Sequence, residues 1–351
     1  MNLQAALNKL KASEKWPSLE ELKALHDEML KHVLSIGPSH YPELLVDPLL
    51  NQLHDEVMKQ TWALAEQETL RQAIGVRPKK ICWVLFGSGA RMEQTICTDQ
   101  DNGVLYECLP SEKEACLTFI KTAAELGTYY LNEIGYPFCP GNVMATNKRW
   151  SNDTDSWLEA MARHIKRGQP DDIKYLFIAS DIRGFYGDLS LAQETKSRLI
   201  QTLQASPFIL KRMHEHIREP KVSLGWFGHV YTERFGKQSG KVNIKVGFYV
   251  PIVNALKFLA IKHGIFAPSS LDRLEALEHL GVIVKEEAVI LKQALQICLY
   301  FRGLASLNPS SQERDYLDLT TLSESDVERL KASLKEIKAF HSHVIRKGGS
   351  L

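Results

Sequence analysis

The sequence is short of several things, and each shortage removes a class of protein. None of its six cysteines, Cys82, Cys97, Cys108, Cys116, Cys139 and Cys298, stands in a C-x-x-C pair, so zinc-ribbon and thioredoxin-type chemistry have no footing. Such scattered thiols read as reduced and mostly buried. Charge of either sign is not in excess: 43 Lys+Arg stand against 42 Asp+Glu, for a net charge of +1. No global pull toward nucleic acid or an anionic membrane follows from that balance, and no basic tail supplies one. The first residues carry charges throughout, without the apolar centre of a signal peptide. Near the middle of the chain, the longest uncharged apolar stretch lies between Lys245 and Lys257, well short of the roughly 20 residues a bilayer needs. These absences lead us to expect a cytoplasmic protein with no membrane partner. His214 and His216 are two apart, as are His341 and His343, a spacing that puts them on different faces of a helix and argues against a shared metal.

What is present has three textures. Residues 1–75 read as helical, with Ser18 as an N-cap, acidic residues following it, and apolar stripes at Leu22, Leu25, Met29, Val33 and at Leu50, Leu53, Val57, Thr61, Leu64. Gly75-Val76-Arg77-Pro78 breaks the pattern. From 76 to 188 short apolar runs alternate with helix: Ile81–Phe86 reads as a strand buried on both faces, Asn102–Tyr106 as a second, 137–146 as a weaker one and Tyr175–Ser180 as a stronger one. From 189 to 351 the pattern is helical again. It ends in a bundle-type seam of Val327, Leu330, Leu334, Ile337, His341 and Val344. The expected class is α+β: a small mixed sheet with helices, an N-terminal helical segment before it and a C-terminal helical bundle after it.

The chemistry concentrates in "FGSGARMEQTICTDQDNGVLYE", Phe86 to Glu107. A Gly-Ser turn after a buried strand can offer backbone N–H groups to phosphate. It is not a Walker loop, since Gly-Lys-Ser/Thr never follows. If 99–105 is extended, Asp99 and Asp101 share a face, and two close carboxylates call for a cation between them. An acidic loop at a strand start is the plainer alternative.

Gly87, Ser88, Arg91, Glu93 and Gln94, followed by Thr98, Asp99, Gln100, Asp101 and Asn102, resemble the DNA-polymerase-beta-like nucleotidyltransferase superfamily. The closer resemblance is to bacterial nucleotidyltransferases related to the N-terminal domain of PII-protein uridylyltransferase. "GYPFCPGNVMATNKRW" (135–150) and "SDIRGFYGD" (180–188) extend it, so that specific motifs cover about 50–190 and a less specific helical substrate-binding domain follows. Residues 1–50 lie outside it.

The resemblance implies transfer of a nucleoside monophosphate, uridylyl or adenylyl, from a nucleoside triphosphate to a protein or small-molecule hydroxyl. It implies Mg2+ or Mn2+ held by Asp99, Asp101 and Asp181, with Gly87, Ser88, Arg91 and Arg183 on the nucleotide. Asp188 is the other candidate for third carboxylate, but reads better as a helix cap. Arg183 points at phosphate or forms an ion pair with Glu93 or Asp188. Asn142 and Asn147 would touch base or sugar unless they only shape turns; Trp150 and Trp157 read as core. Lys241, Lys245 or Arg302 would reach the substrate from the helical domain. Ala90 stands where the family has glycine, which would strain the loop if that position needs positive φ. Gly103 and Ser180 also replace bulkier residues. The alternative reading is a nucleotide-sensing module that performs no chemistry.

Overall fold

The computed structural model describes residues 3–12, 17–36, 48–225, 227–308 and 310–347. The chain forms two compact units. One holds the described residues up to Arg163 together with Ile178–Leu199; the other holds His164–Phe177 and the described residues from Ile200 onward.

The first unit is built on a four-stranded sheet in the order β3-β2-β1-β4. Strand β1 (Lys80–Leu85) is the buried apolar run, and it pairs antiparallel with both β2 (Asn102–Glu107) and β4 (Arg183–Gly187). β3 (Ser151–Asp153) lies parallel to β2 on the far edge, which makes the sheet mixed. Three helices precede it: α1 (Leu3–Ala12), α2 (Leu19–Ile36) and α3 (Pro48–Arg71). Ser18 receives the Glu21 N–H and Glu21 returns a bond to Ser18, the reciprocal cap that starts α2. Leu22, Leu25 and Met29 are buried as their spacing requires; the Val33 side chain lies outside the described residues.

Helix α3 is buried nearly all round, from Leu50 to Thr69, because it packs against the long helix Lys113–Ile134 as well as lying close to the sheet. The Trp62 and Trp83 rings stack at 3.8 Å. Gly127 permits this: a Cβ there would stand 2.2 Å from a Trp62 ring carbon. The buried carboxylate beside the stack, Glu66, is paired twice, accepting from Trp83 Nε1 at 2.6 Å and from Arg77 Nε at 2.8 Å.

Two strand expectations fail. Tyr175–Ser180 is not a strand; Pro170–Ala179 is a helix, with Pro170 at its start, Asp171 and Asp172 in its first turn, and Ile173, Leu176 and Phe177 buried at helical spacing. A short apolar run does not distinguish the two by periodicity. The strand comes later, as β4. The 137–146 segment makes turns, with a single bridge from Phe138 to Gln100, because Pro140-Gly141 and Asn142 at φ 53 bend the chain before a ladder can extend.

The second unit is helical, as expected. Pro207–His216 starts on an N-cap, Ser206, that accepts from Ile209 N. A two-residue antiparallel ribbon, Val242–Asn243 with Tyr316–Leu317, is an addition the sequence did not announce. Helix Lys285–Ser306 is long and apolar enough to cross a membrane by length and composition alone, and more than half of that stretch is buried within the protein. It packs against the terminal helix Glu324–Lys347, whose buried residues are Leu330, Ser333, Leu334, Ile337, Phe340, His341 and Val344. That is the expected seam, with Val327 at its partly exposed end.

Candidate active site

The site is assembled at the end of β1. Phe86 continues the strand in extended geometry, then Gly87 turns the chain at φ +53 into the five-residue helix Gly87–Arg91. Glycine is needed at 87 on two counts: the positive φ, and a Cβ that would stand 2.3 Å from Asp101 Oδ2. Ala90 sits in this short helix without positive φ and is fully buried, so the strain expected there does not arise. Met92, which ends the helix at φ 57, carries the left-handed conformation instead.

The Asp99–Asn102 stretch alternates as an extended chain should. Gln100 and Asn102 point inward and are 0% and 1% exposed, while Asp99 and Asp101 are half-buried on the other face. The two inward amides are anchors. Gln100 Nε2 donates to the Thr128 and Tyr136 carbonyls, both at 3.1 Å, and Gln100 Oε1 accepts from Asn102 Nδ2. Asn102 Oδ1 accepts from Ala145 N at 2.8 Å. The motif therefore divides its labour: two carboxylates face the site and two amides hold them in register.

The same stretch recruits one of the scattered thiols that the sequence marks as reduced and mostly buried. Gln100 N donates to Pro137 O and Asn102 N to Val143 O, each at 3.0 Å, and the loop between those carbonyls carries Cys139. Asp99, Asp101 and Cys139 each offer a ligand atom, all within 4.8 Å of one another. Burial, then the Asp101 charge and the thiol's hydrogen bond to it, push the Cys139 thiol up to about 12. Its position within the Gly135–Trp150 block was the one signal available. Two half-buried oxygen donors suit a hard divalent cation, and a neutral thiol beside them does not oppose one.

Asp181 is not in that cluster. It is 1% exposed and accepts a short hydrogen bond from Arg91, whose Nε also donates to Glu93 at 2.9 Å. Arg91 is thus an internal ion-pair partner, itself 7% exposed. Arg183 forms neither of the pairs foreseen for it. It grips Asp55 with two bonds of 2.8 Å and donates to Gly89 O at 2.7 Å and Ala90 O at 3.1 Å. A guanidinium on the last carbonyls of the Gly87–Arg91 turn satisfies them and opposes the negative end of the helix. Ser88, 8% exposed, lies in that turn and its carbonyl accepts from Glu93 N.

The remaining candidates resolve into structure. Asp188 caps the next helix through Ser190 N and Oγ, as expected. Asn142 and Asn147 shape a turn, bonded at 3.0 Å. Trp150 and Trp157 are core, each 1% exposed. Gly103 is required, since a Cβ would stand 2.3 Å from Trp150 O. In the second unit Lys241 pairs with Glu313 at 2.8 Å, Lys245 with Asp315 at 3.4 Å, and Arg302 lies over the Tyr249 ring at 4.2 Å.

A strand delivering a Gly-Ser turn onto a carboxylate pair defines a domain of the nucleotidyltransferase type. Residues 43–171 match the family model described as "Putative nucleotidyltransferase DUF294", and residues 207–347 match "Putative nucleotidyltransferase substrate binding domain". The two matches together run over most of the chain, which belongs to this family. No curated protein matches the chain.

Proposed function

We propose that this protein transfers a nucleoside monophosphate, uridylyl or adenylyl, from a nucleoside triphosphate to a hydroxyl on a protein or small molecule, with release of pyrophosphate. The observation that carries the reading is the packing of the Gly87 turn against the Asp101 carboxylate, with Asp99 beside it on the open face. Asp99 and Asp101 would hold Mg2+ or Mn2+, which when bound neutralises triphosphate charge and lowers the pKa of an attacking hydroxyl. Gly87 and Ser88 would then lie under the phosphates and fix them by backbone N–H and hydroxyl groups. Positioning and charge neutralisation account for most of such a reaction.

Arg91 and Asp181 enter this scheme as a pair. A triphosphate would compete for the Arg91 guanidinium, whose Nη1 donates to Asp181 and whose Nε donates to Glu93, because phosphate oxygens accept the same charge-assisted bonds. Drawing Arg91 onto phosphate would release Asp181 as third carboxylate and proton acceptor. Arg183 would act on the nucleotide through the turn it holds.

A second reading, a nucleotide-binding regulatory module without chemistry, is favoured by the same pair, since Asp181 is engaged by Arg91 and, among the described residues, the cluster holds Asp99 and Asp101 as its carboxylates. The test is pyrophosphate release from each labelled triphosphate with Mg2+ and cell lysate as the source of acceptor. The first reading expects label joined covalently to an acceptor, and loss of both signals in Asp99→Asn/Asp101→Asn. Equal turnover in that double variant would sink it; nucleotide binding by calorimetry without turnover would establish the second.

A further inference from the structure

We infer that Cys139 is a third donor at the Asp99–Asp101 site, which makes it a site for a thiophilic divalent cation of the Zn2+ type as well as for Mg2+. The inference rests on the reading of Asp99 and Asp101 as cation ligands.

Two carboxylates alone discriminate little between divalent ions, and Mg2+ takes oxygen donors at a site like this. A sulfur donor changes the preference, because soft thiolate ligands select Zn2+ whereas Mg2+ takes oxygen donors. Ligand atoms around a tetrahedral zinc ion stand about 3.4–3.6 Å apart, given bonds of roughly 2.0–2.3 Å to oxygen and sulfur. The three donors already lie within 4.8 Å of one another, about 1.2–1.4 Å wider than that spacing at most.

The backbone is also held. The Cys139 loop is bonded to the carboxylate strand on both sides, at Pro137 O and Val143 O, and closes on itself through Asn142 N to Cys139 O at 2.9 Å. Pro140 follows the cysteine directly and limits it further. Cys139 is therefore placed as firmly as the aspartates. On binding, the S–H bond breaks, a sulfur–metal bond forms and the proton passes to solvent. The fourth position stays open to water or to a phosphate oxygen.

With Mg2+ the site works through its carboxylate oxygens. With Zn2+ the sulfur joins, the ion is held more tightly, and Mg2+ is displaced. The cation present in the cell would then set whether the site is available for transfer.

The experiment titrates the full-length protein with Co2+, as a spectroscopic stand-in for zinc, and separately with Mn2+ followed by electron paramagnetic resonance. Wild type should develop the near-ultraviolet thiolate-to-cobalt charge-transfer band and bind Mn2+. Cys139→Ser should lose the band, keep Mn2+ binding and an unchanged circular dichroism spectrum, and bind Zn2+ more weakly. The Zn2+ loss should exceed about tenfold, the lower bound for losing a mere outer-shell partner. Asp99→Asn/Asp101→Asn should lose both ions. Mn2+ binding without a band in wild type, or a band that survives in Cys139→Ser, would overturn the inference and leave the function standing. Absence of Mn2+ binding in wild type, with and without triphosphate, would overturn both.

Discussion

Gln100→Met isolates the anchoring role of the residue between the two aspartates. Methionine keeps the length and much of the volume of glutamine and removes its hydrogen bonds. Gln100 is fully buried, so nothing replaces what it satisfied. Three groups lose a bond: the Tyr136 carbonyl, the Asn102 amide and the Thr128 carbonyl. Thr128 lies inside the long helix Lys113–Ile134, where its carbonyl also has a helical partner, so it loses least. Two buried groups left unpaired at roughly 1–3 kcal/mol each predict a loss of about 2–6 kcal/mol. That is a large share of the roughly 5–15 kcal/mol that holds a typical domain together.

The assay is urea unfolding followed by tryptophan fluorescence, paired with Mn2+ affinity under native conditions. The expected result is an unfolding midpoint displaced to lower urea together with weaker Mn2+ binding, because Asp99 and Asp101 lose their register. A stability loss under about 1 kcal/mol would refute the orphaned-group reasoning. Lowered stability with unchanged Mn2+ affinity would refute the claim that this amide positions the carboxylates.

Gly103→Ala should destabilise the sheet by about 1–3 kcal/mol, because the new Cβ meets Trp150 O, a backbone atom that cannot rotate away, and the Phe86 ring 2.9 Å off; thermal unfolding measures it, and a neutral substitution would show that β2 and β3 separate freely. His54 is buried between Tyr136 Oη at 2.8 Å and the Thr95 carbonyl at 3.1 Å, and burial, with the nearby His26 charge, lowers its imidazole to about 3. A base depressed in the folded state binds its proton only on unfolding, so stability is full above the ordinary histidine value of roughly 6.5 and is lost as pH falls toward 3. We expect a slope approaching about 1.4 kcal/mol per pH unit from this group. Unfolding curves for wild type and His54→Gln between those limits read its share, and parallel curves would refute it.

Helix caps, the buried β1 run, the seam of the last helix and the Asp99-x-Asp101 alternation were all legible in the sequence, because each follows from a local period or a local bond. So was the α+β class, and the resemblance carried by the Gly87–Asn102 string agrees with the family match. The Tyr175–Ser180 run was misread because a short apolar stretch satisfies helix and strand alike, and only its burial decided between them. The partners of the charged residues were beyond local reasoning. Arg183 meets Asp55 across 128 positions and Arg91 meets Asp181 across 90, pairings that exist only because the strand and helices bring those backbones together. Cys139 shows the difference most clearly. As sequence it was one scattered thiol among six; its place beside two carboxylates comes from backbone bonds at Pro137 and Val143, which no spacing along the chain encodes. Which residues carry charge and where the chain turns were determined by the sequence itself, whereas which charges meet was decided by the packing, because an ion pair or a ligand cluster depends on distance in space.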